Sequence, residues 1–251
     1  MIGFLKGKYR AFKRKWKFFW SVNWIKTYYF NYKKFPYSIA RKLPVFFYGK
    51  VKLSSIKGNV IIDAPIKKAM IGFGQSFEFP TTSKGTSELR IEGTIVFKGN
   101  VQIGKDVCIL IKEKGYFEMG HFSCLGSSCL VVCKNRIVLK SFVRVGFQVQ
   151  FIDNTLHQLI DLSTNNELPF SAPILLNDYN WIGNRTTIMK NTQTPKNCIV
   201  ASNSLLNKDY NNFGENILIG GIPAKLLKEN ISRDWDGEQE RLENNLIVKK
   251  S

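Results

Sequence analysis

Two histidines, His121 and His157, are the only imidazoles in a chain of 251 residues. Imidazole titrates near neutral pH, so either ring could act as a general base that removes a proton from a hydroxyl group. His157 ends the run DNTLH, residues 153–157, in which a carboxylate and an amide precede the ring. Asp153 in this run either orients the imidazole, binds a substrate hydroxyl, or is an ordinary turn carboxylate.

The cysteines do not indicate a disulfide framework or a metal site. The five form an odd set without a C-x-x-C pair, so we expect them to be reduced, small core residues. A zinc hydratase site made of histidines needs three of them, and the chain has 2. We therefore expect no metal. The cysteines are Cys108, Cys124, Cys129, Cys133 and Cys198.

The element that must position His157 is a repeat in which an apolar residue recurs every six positions. Such a period fits neither an α-helix nor a long strand; it predicts short β segments that turn quickly and stack in parallel as a β-helix. His157 falls six residues after Phe151, where a buried aliphatic is expected. Residues 158–180 then lack the period, and a loop longer than the usual connection is often functional. The inward positions are Met119, Leu125, Val131, Leu139, Val145, Phe151, Ile182, Ile188, Thr194, Val200 and Leu206.

The excess positive charge is concentrated at the N-terminus. Residues 1–52 contain 14 lysines and arginines, 17 aromatic residues and no acidic residue, in a chain of net charge +18. Trp16, Trp20 and Trp24 have helical spacing and are interleaved with basic residues, which is typical of helices that lie in a membrane interface. Packing of these rings on the main domain is an alternative. A third and less favoured one is a nucleic-acid-binding arm.

The chain has neither the long apolar run of a spanning helix nor a secretory signal. The most apolar stretch near the start, residues 18–25, is short and interrupted by Ser21 and Asn23. No apolar segment with a small-residue cleavage site follows the first basic residues. We therefore expect a cytoplasmic protein, held peripherally on the inner face of the cell membrane if residues 1–50 bind anionic lipid.

Two stretches of the sequence resemble the hexapeptide-repeat acyltransferases. They are MGHFSCLGSSCLVVCKNRIVLKSFVRVGFQVQFIDNTLH, and NWIGNRTTIMKNTQTPKNCIV followed by ILIGGIPAKLLK. The first is similar to the family's paired aliphatic-glycine repeats that end in an Asp-containing turn and a histidine. The second is similar to its closing Trp-Ile-Gly coils and Pro-Ala-Lys exit. The resemblance implies a left-handed parallel β-helix that assembles as a homotrimer.

The resemblance also implies where the reaction occurs. It places the catalytic base at His157, with Asp153 beside it and Asn154 as a contact to the acceptor, whereas His121 is expected to be a solvent-facing turn residue. Acetyl-CoA, as co-substrate, would lie in a groove between subunits. The residues implied to contact it are Trp181, Gly183, Ala201, Ser202 and Lys225.

The function implied is an O-acetyltransferase that acts on a surface polysaccharide or its lipid-linked precursor. The alternatives are N-acetylation of an amino sugar and a non-catalytic β-helix scaffold. A sugar nucleotidyltransferase is disfavoured because no glycine-rich nucleotide-binding domain is present. We predict a basic N-terminal segment over 1–50, N-terminal β coils over 51–100, the hexapeptide-repeat domain over 101–225 with its loop at 158–180, and a helical tail over 226–251.

Overall fold

The computed structural model describes residues 7, 9, 10, 12, 13, 16, 19–75 and 85–245. The chain winds into a left-handed parallel β-helix with three sheets, as the six-residue period predicts. Each coil adds a short strand to each sheet in turn. Helices lie at both ends: α1 (Trp24–Lys34), α2 (Tyr37–Ala40) and α3 (Trp235–Asn245), with a 3₁₀ turn at Asn211–Phe213.

The three sheets form the faces of the prism. Sheet I has nine strands: β1 (Val45–Phe47), β4 (Ile71–Gln75), β7 (Val101–Gly104), β10 (Cys124–Leu125), β13 (Arg144–Val145), β18 (Trp181–Ile182), β21 (Ile199–Val200), β23 (Leu218–Gly221) and β24 (Ala224–Lys228). Sheet II has seven: β2 (Val51–Ile56), β5 (Ser87–Ile91), β8 (Cys108–Ile111), β11 (Leu130–Cys133), β14 (Gln150–Ile152), β19 (Thr187–Met189) and β22 (Leu205–Leu206). Sheet III has six: β3 (Asn59–Ile62), β6 (Thr94–Phe97), β9 (Tyr116–Met119), β12 (Arg136–Leu139), β17 (Ile174–Leu176) and β20 (Gln193–Thr194).

The repeated inward residues form the core. All 11 of the positions predicted to point inward are at most 2% exposed, and the apolar ones belong to one continuous cluster that fills the prism. Thr194, the polar member of the set, is satisfied by a hydrogen bond from its hydroxyl to the Asn180 amide oxygen. The parallel register places each inward residue directly beside its equivalent in the next coil, for example Val145 beside Ile182. These observations confirm the sequence-based fold.

Helix α1 closes the N-terminal end of the β-helix. Its buried side is formed by Thr27, Phe30 and Asn31, and Phe30 belongs to the main core cluster. The Thr27 hydroxyl accepts the N–H of Phe47 at 3.1 Å, so α1 satisfies part of the free edge of β1. An uncovered strand edge would otherwise expose unpaired backbone groups. The alternative that this segment packs on the main domain is thus true of one face of α1.

The C-terminal end is closed differently. Strand β24 turns back and pairs antiparallel with β23, which ends the parallel stacking of sheet I. Helix α3 then packs on aromatic residues at the corner between sheets III and I, where Leu242 joins Phe122 and Phe142 in a small apolar cluster. The predicted C-terminal helix is therefore present. Within the described ranges, no helix is long and apolar enough to cross a bilayer.

Candidate functional site at the corner of the β-helix

His157 lies where the chain leaves the β-helix after β14, at the corner between sheets II and III. Its side chain is exposed, and within the described residues its imidazole has no hydrogen-bond partner. The backbone beneath the ring is fixed, because the Thr155 hydroxyl lies 2.7 Å from the His157 carbonyl oxygen and 3.2 Å from that of Phe170. The exposed ring is therefore accessible to a substrate hydroxyl, which is the access that a general base needs.

Asp153 is fully buried beneath this turn, and its carboxylate is used to join two coils. It accepts the backbone N–H of Lys134 at 2.8 Å and that of Asn135 at 2.8 Å. The Asn154 amide donates to the same carboxylate at 3.0 Å. Asp153 therefore fixes the turn from which His157 projects. A direct contact between the carboxylate and the imidazole is not among its hydrogen bonds, and this part of its predicted role stays a prediction.

Asn154, the predicted acceptor contact, is also fully buried. Its amide oxygen accepts the N–H of Leu156 at 3.1 Å while its amide nitrogen donates to Asp153, so both ends of the amide serve the turn. Leu156 has a left-handed backbone with φ +62°. The tight turn that Asn154 closes brings His157 to the surface, and this positioning role is the one that the geometry supports.

Beyond His157 the chain forms a projecting arm. Strands β15 (Ile160–Asp161) and β16 (Asn166–Glu167) pair antiparallel in a hairpin, and the coil resumes at β17, inside the stretch without the six-residue period. The arm carries a set of exposed aliphatic side chains: Leu156, Leu159, Ile160, Leu162 and Leu168. Apolar side chains grouped on a projection indicate that another surface covers them.

Gly183, Ala201 and Ser202, predicted to contact acetyl-CoA, lie together at the corner between sheets I and II. A Cβ at Gly183 would be 2.6 Å from the Ser202 nitrogen, so close stacking of successive coils requires this glycine. Ser202 is exposed, and its hydroxyl accepts the N–H of Asn184 at 3.1 Å. The corner is therefore narrow and carries small side chains, and Ser202 is the exposed one of the three that a pantetheine arm could contact.

Trp181 lies on the outer face of sheet I and is partly covered by the C-terminal segment. The Arg233 guanidinium is 5.0 Å from the Trp181 ring and 4.7 Å from the Trp235 ring. Glu238 holds this segment through Arg233, at 3.2 Å, and Arg241, at 2.7 Å. Burial opposes ionisation of Glu238, but the hydrogen bond from Arg241 and the charge of Arg233 outweigh it and lower its pKa. Trp181 is thus shielded in part by Arg233, just before α3.

Lys225 is exposed in β24, near the C-terminal end of sheet I. Gly220 and Ala201 bring this strand close to the narrow corner, since a Cβ at Gly220 would lie 2.7 Å from that of Ala201. A cation there could pair with a phosphate of a cofactor lying along the corner. The predicted cofactor residues are therefore grouped, whereas His157 lies across sheet II from them.

Sheet II separates the two parts of the predicted site, and its outer face has a feature that the sequence analysis missed. Leu110, Val132, Ile152 and Met189 are in register on adjacent strands and point outward, forming what we call the sheet II apolar row. Each is only half-buried. The alternation of inward and outward residues within each strand could have revealed this row, but only once the register between coils was known.

His121 is a turn residue, as predicted, but it is half-buried and does not simply face solvent. Its Nδ1 accepts the N–H of Asn100 at 3.1 Å, and its ring lies 4.1 Å from that of Phe122. These contacts link two coils, so His121 is a structural residue. This is a correction to the expected solvent-facing position.

The cysteines are reduced in the structure, and most are buried. Burial raises the pKa of the Cys198 thiol to about 12 and also raises that of Cys133, beside Asp153. Thiols of high pKa are poor nucleophiles. Among the described residues, no group of three histidine, cysteine or acidic side chains could hold a metal ion.

Comparison with solved structures finds a similar fold in known acetyltransferases. The chain resembles the polySia-specific acetyltransferase NeuO, with a TM-score of 0.50 and 17% identity over 79% of this chain and 96% of that one. It also resembles the polysialic acid O-acetyltransferase OatWY, with a TM-score of 0.46 and 17% identity over 73% of this chain and 90% of that one. A hexapeptide-repeat acetyltransferase from Vibrio cholerae gives a TM-score of 0.38 and 20% identity over 54% and 70%.

No protein-family model matches the chain. At these identities, the likeness to solved structures establishes the fold but not the reaction. Fold and site together define a β-helix with one exposed imidazole at the base of an apolar arm.

Proposed function

We propose that this chain is an acetyltransferase that moves acetyl from acetyl-CoA to a hydroxyl of a surface polysaccharide or its lipid-linked precursor. The observation that carries the proposal is His157, whose unpartnered imidazole projects from a fixed turn at the base of the arm. Of the two histidines, His121 is engaged in joining coils, which leaves His157 as the base.

In the proposed step, His157 accepts the proton of the acceptor hydroxyl as its oxygen attacks the thioester carbonyl carbon. The carbon–sulfur bond then breaks, and the proton passes from the imidazole to the departing CoA sulfur. General-base help of this kind is worth roughly 10²- to 10⁴-fold in rate. A backbone N–H is the donor we expect for the oxyanion of the tetrahedral intermediate.

Acetyl-CoA would lie against the narrow corner formed by Gly183, Ala201 and Ser202. The small side chains there admit the pantetheine arm, while Trp181 and Lys225 lie within the same region of sheet I as contacts for the remainder of the molecule. His157 and this corner flank sheet II, where β14 and β19 have three residues each and span roughly 10 Å. An extended thioester arm is long enough to cross that distance.

The chain is proposed to act as a homotrimer, in which neighbouring copies cover the arm and the sheet II apolar row. Exposed aliphatics on Leu159, Ile160 and Leu162 of the arm, and the outward row on sheet II, provide apolar surface on both sides of His157. Burying both surfaces in one interface would place the reacting groups at its edge, beside a neighbouring subunit.

A glycan is the proposed class of acceptor. NeuO and OatWY are named for acetyl transfer to polysialic acid, and the first of them shares the fold over most of this chain. The open setting of His157 suits a polymer, because a long acceptor can lie across the exposed corner without entering a closed cavity. Transfer to an amino sugar would use the same base.

The test is to incubate the purified chain with acetyl-CoA and either hydroxyl-bearing glycans or amino sugars. Release of free CoA thiol reports turnover, and mass spectrometry locates the acetyl group. O-acetyl esters are removed by mild alkali and amides are not, so this treatment distinguishes the two products. Mass spectra of the glycan made by cells with and without the protein identify the acceptor. A well-formed assembly that releases no CoA thiol with any acceptor would support a scaffold role instead.

A further inference from the structure

The outward face of α1 is apolar and aromatic, the reverse of an ordinary surface helix. Ile25, Tyr28, Tyr29 and Tyr32 lie on the side opposite the buried residues and are 84%, 48%, 54% and 48% exposed. A helix on a soluble domain normally presents polar residues to solvent. Because α1 buries its other face in the core, this aromatic face is fixed on the domain, and its rings contact one another while they stay partly exposed.

This face lies at the N-terminal end of the β-helix, where Ile25 and Tyr29 border a groove shared with residues 49–53. The opposite side of α1 is bonded to the edges of the first coil: Asn31 binds Val45, and the Lys34 ammonium donates to the carbonyl oxygens of Ile56, at 3.0 Å, and Gly58. These two contacts lie in different parts of the coil, so α1 crosses the end of the prism. The exposed rings therefore form the end surface of the molecule.

Further exposed rings precede α1, at described positions that are helical. Phe12 and Trp16 have ring centroids 6.0 Å apart, and Trp16 and Trp20 are 5.7 Å apart. Trp24, in contrast, is half-buried: its ring lies 5.5 Å from Phe46 and its indole N–H donates to the Phe19 carbonyl at 2.9 Å. Of the three tryptophans with helical spacing, only Trp16 and Trp20 are thus free to contact a partner.

Basic side chains flank these rings. Arg10, Lys13 and Lys33 are exposed, and no acidic residue occurs in residues 1–52. Lysine is depleted in protein interfaces, whereas tyrosine and tryptophan beside lysine and arginine are typical of surfaces that enter the headgroup region of a bilayer. The combination of rings and unbalanced positive charge favours lipid over a second copy of the chain or another protein.

We propose that the face formed by Ile25, Tyr28, Tyr29 and Tyr32, continued by the rings of Phe12, Trp16 and Trp20, docks on an anionic membrane surface. The rings enter the interface while the flanking lysines and arginines bind lipid phosphates. The β-helix then stands on its N-terminal end. This docking depends on α1 and its charges, and it is independent of the reaction at His157.

The docked orientation fixes the height of His157 above the bilayer. Strand β14, which precedes His157, is four steps from β2 along sheet II, in the order β2-β5-β8-β11-β14. At about 4.8 Å per step, His157 lies roughly 20 Å above the first coil. An acceptor attached to lipid would therefore be modified some distance from its membrane anchor and not at the headgroup.

Sedimentation of the full chain with vesicles tests the proposal. We expect it to bind vesicles that contain phosphatidylglycerol, to bind phosphatidylcholine vesicles poorly, and to bind less as salt increases. Changing Tyr28→Gln, Tyr29→Gln and Tyr32→Gln together, with every basic residue retained, should weaken binding at least about tenfold. Lys13→Gln with Lys33→Gln should weaken binding to anionic vesicles and reduce its salt dependence.

A matched control is Ile222→Gln with Leu227→Gln, which removes exposed apolar side chains from the opposite end of the β-helix. This variant should bind vesicles as the parent chain does, and thermal melts verify that every variant is folded. Absence of binding to anionic vesicles, or equal binding by the triple tyrosine variant, would overturn the proposal. If the triple tyrosine variant bound vesicles as the parent chain does but had a different mass in solution, the face would be a contact between copies of the chain. If the parent chain bound nucleic acid and not vesicles, the face would be a nucleic-acid-binding surface.

Discussion

The side chain of Asn31 makes the two hydrogen bonds to Val45 that a neighbouring strand would otherwise make. Its amide nitrogen donates to the Val45 carbonyl at 2.7 Å, and its amide oxygen accepts the Val45 N–H at 3.1 Å. Both residues are buried. The Asn31 side chain on α1 thus replaces the backbone of a further strand at the edge of sheet I. This leaves no free edge there to which another strand could add.

The first prediction follows from this contact. Asn31→Ala should lower the free energy of unfolding by about 2 to 4 kcal/mol, because it leaves a buried N–H and a buried carbonyl without partners. Asn212→Ala, at an exposed position of the 3₁₀ turn, is the control and should change little. Urea denaturation measures both. Similar midpoints for the two variants would contradict the edge-closing role of Asn31.

The second prediction concerns the base. His157→Ala should lower acetyl transfer at least about 10²-fold without loss of stability, because the ring is exposed and makes no internal hydrogen bond. His121→Ala should do the reverse: it should keep most of the turnover and lose about 1 kcal/mol of stability with the Asn100 contact. Rates of CoA release and thermal melts distinguish the two. High turnover by His157→Ala would exclude it as the base.

A third prediction tests the inward positions of the repeat. Val145→Asp and Ile188→Asp should each unfold the chain or nearly so, because both positions lie in the core, where an unpaired carboxylate is costly. Gln148→Asp and Arg185→Asp are the controls, at exposed corner positions with φ +58° and +56°, which aspartate tolerates. If thermal melts showed equal effects at the two kinds of position, the β-helix would be wrong.

The six-residue repeat was predictable because the position of each inward residue depends on local spacing alone. Val145 and Ile188 obey the period whatever the rest of the chain does, and the parallel pairing follows from stacking. The hydrogen bonds by which Asn31 closes the edge of β1 were not predictable, because the sequence around Asn31 does not indicate pairing with a strand 14 residues away. The aromatic residues of the N-terminal segment were recognised as a group. That Trp24 packs against the domain was clear only from its contact with Phe46.

The position of His157 at the end of a regular coil was predictable, whereas its role as the base stays a prediction. His157 is identified by a break in the period, which is a local signal. The carboxylate of Asp153 could not be assigned from sequence, because its donors, the N–H groups of Lys134 and Asn135, come from the preceding coil. For the same reason, the sheet II apolar row was invisible before the register was known.

The fourth prediction concerns access to the narrow corner. Ser202→Phe should raise the KM for acetyl-CoA at least about tenfold with a smaller effect on kcat, because an exposed ring there would obstruct an extended arm. Lys105→Phe is the matched control, at the equivalent place of a coil nearer the N-terminus, and should leave KM unchanged. Steady-state kinetics at varied acetyl-CoA decide between them. An unchanged KM in Ser202→Phe would place the cofactor elsewhere.

The fifth prediction concerns the assembly that would complete the site. Ile152 lies at the centre of the sheet II apolar row, in register with Val132 on one side and Met189 on the other. Its side chain points outward, so Ile152→Glu leaves the core intact while placing a charge in the proposed interface. Leu162, at 92% exposure, offers the corresponding position on the arm.

We expect the parent chain to be a trimer by light scattering and the double variant Ile152→Glu, Leu162→Glu to be a monomer with an unchanged far-ultraviolet spectrum. Burial of an unpaired carboxylate in an apolar interface costs several kcal/mol, enough to dissociate an assembly at micromolar concentration. Thr187→Glu, also on sheet II but outside the apolar row, is the control and should disturb the trimer less. Because the arm and the corner would then no longer meet a neighbouring subunit, acetyl transfer should fall together with the mass. A monomer with full activity would show that one chain contains the complete site, and a variant that remains trimeric would place the interface on another face.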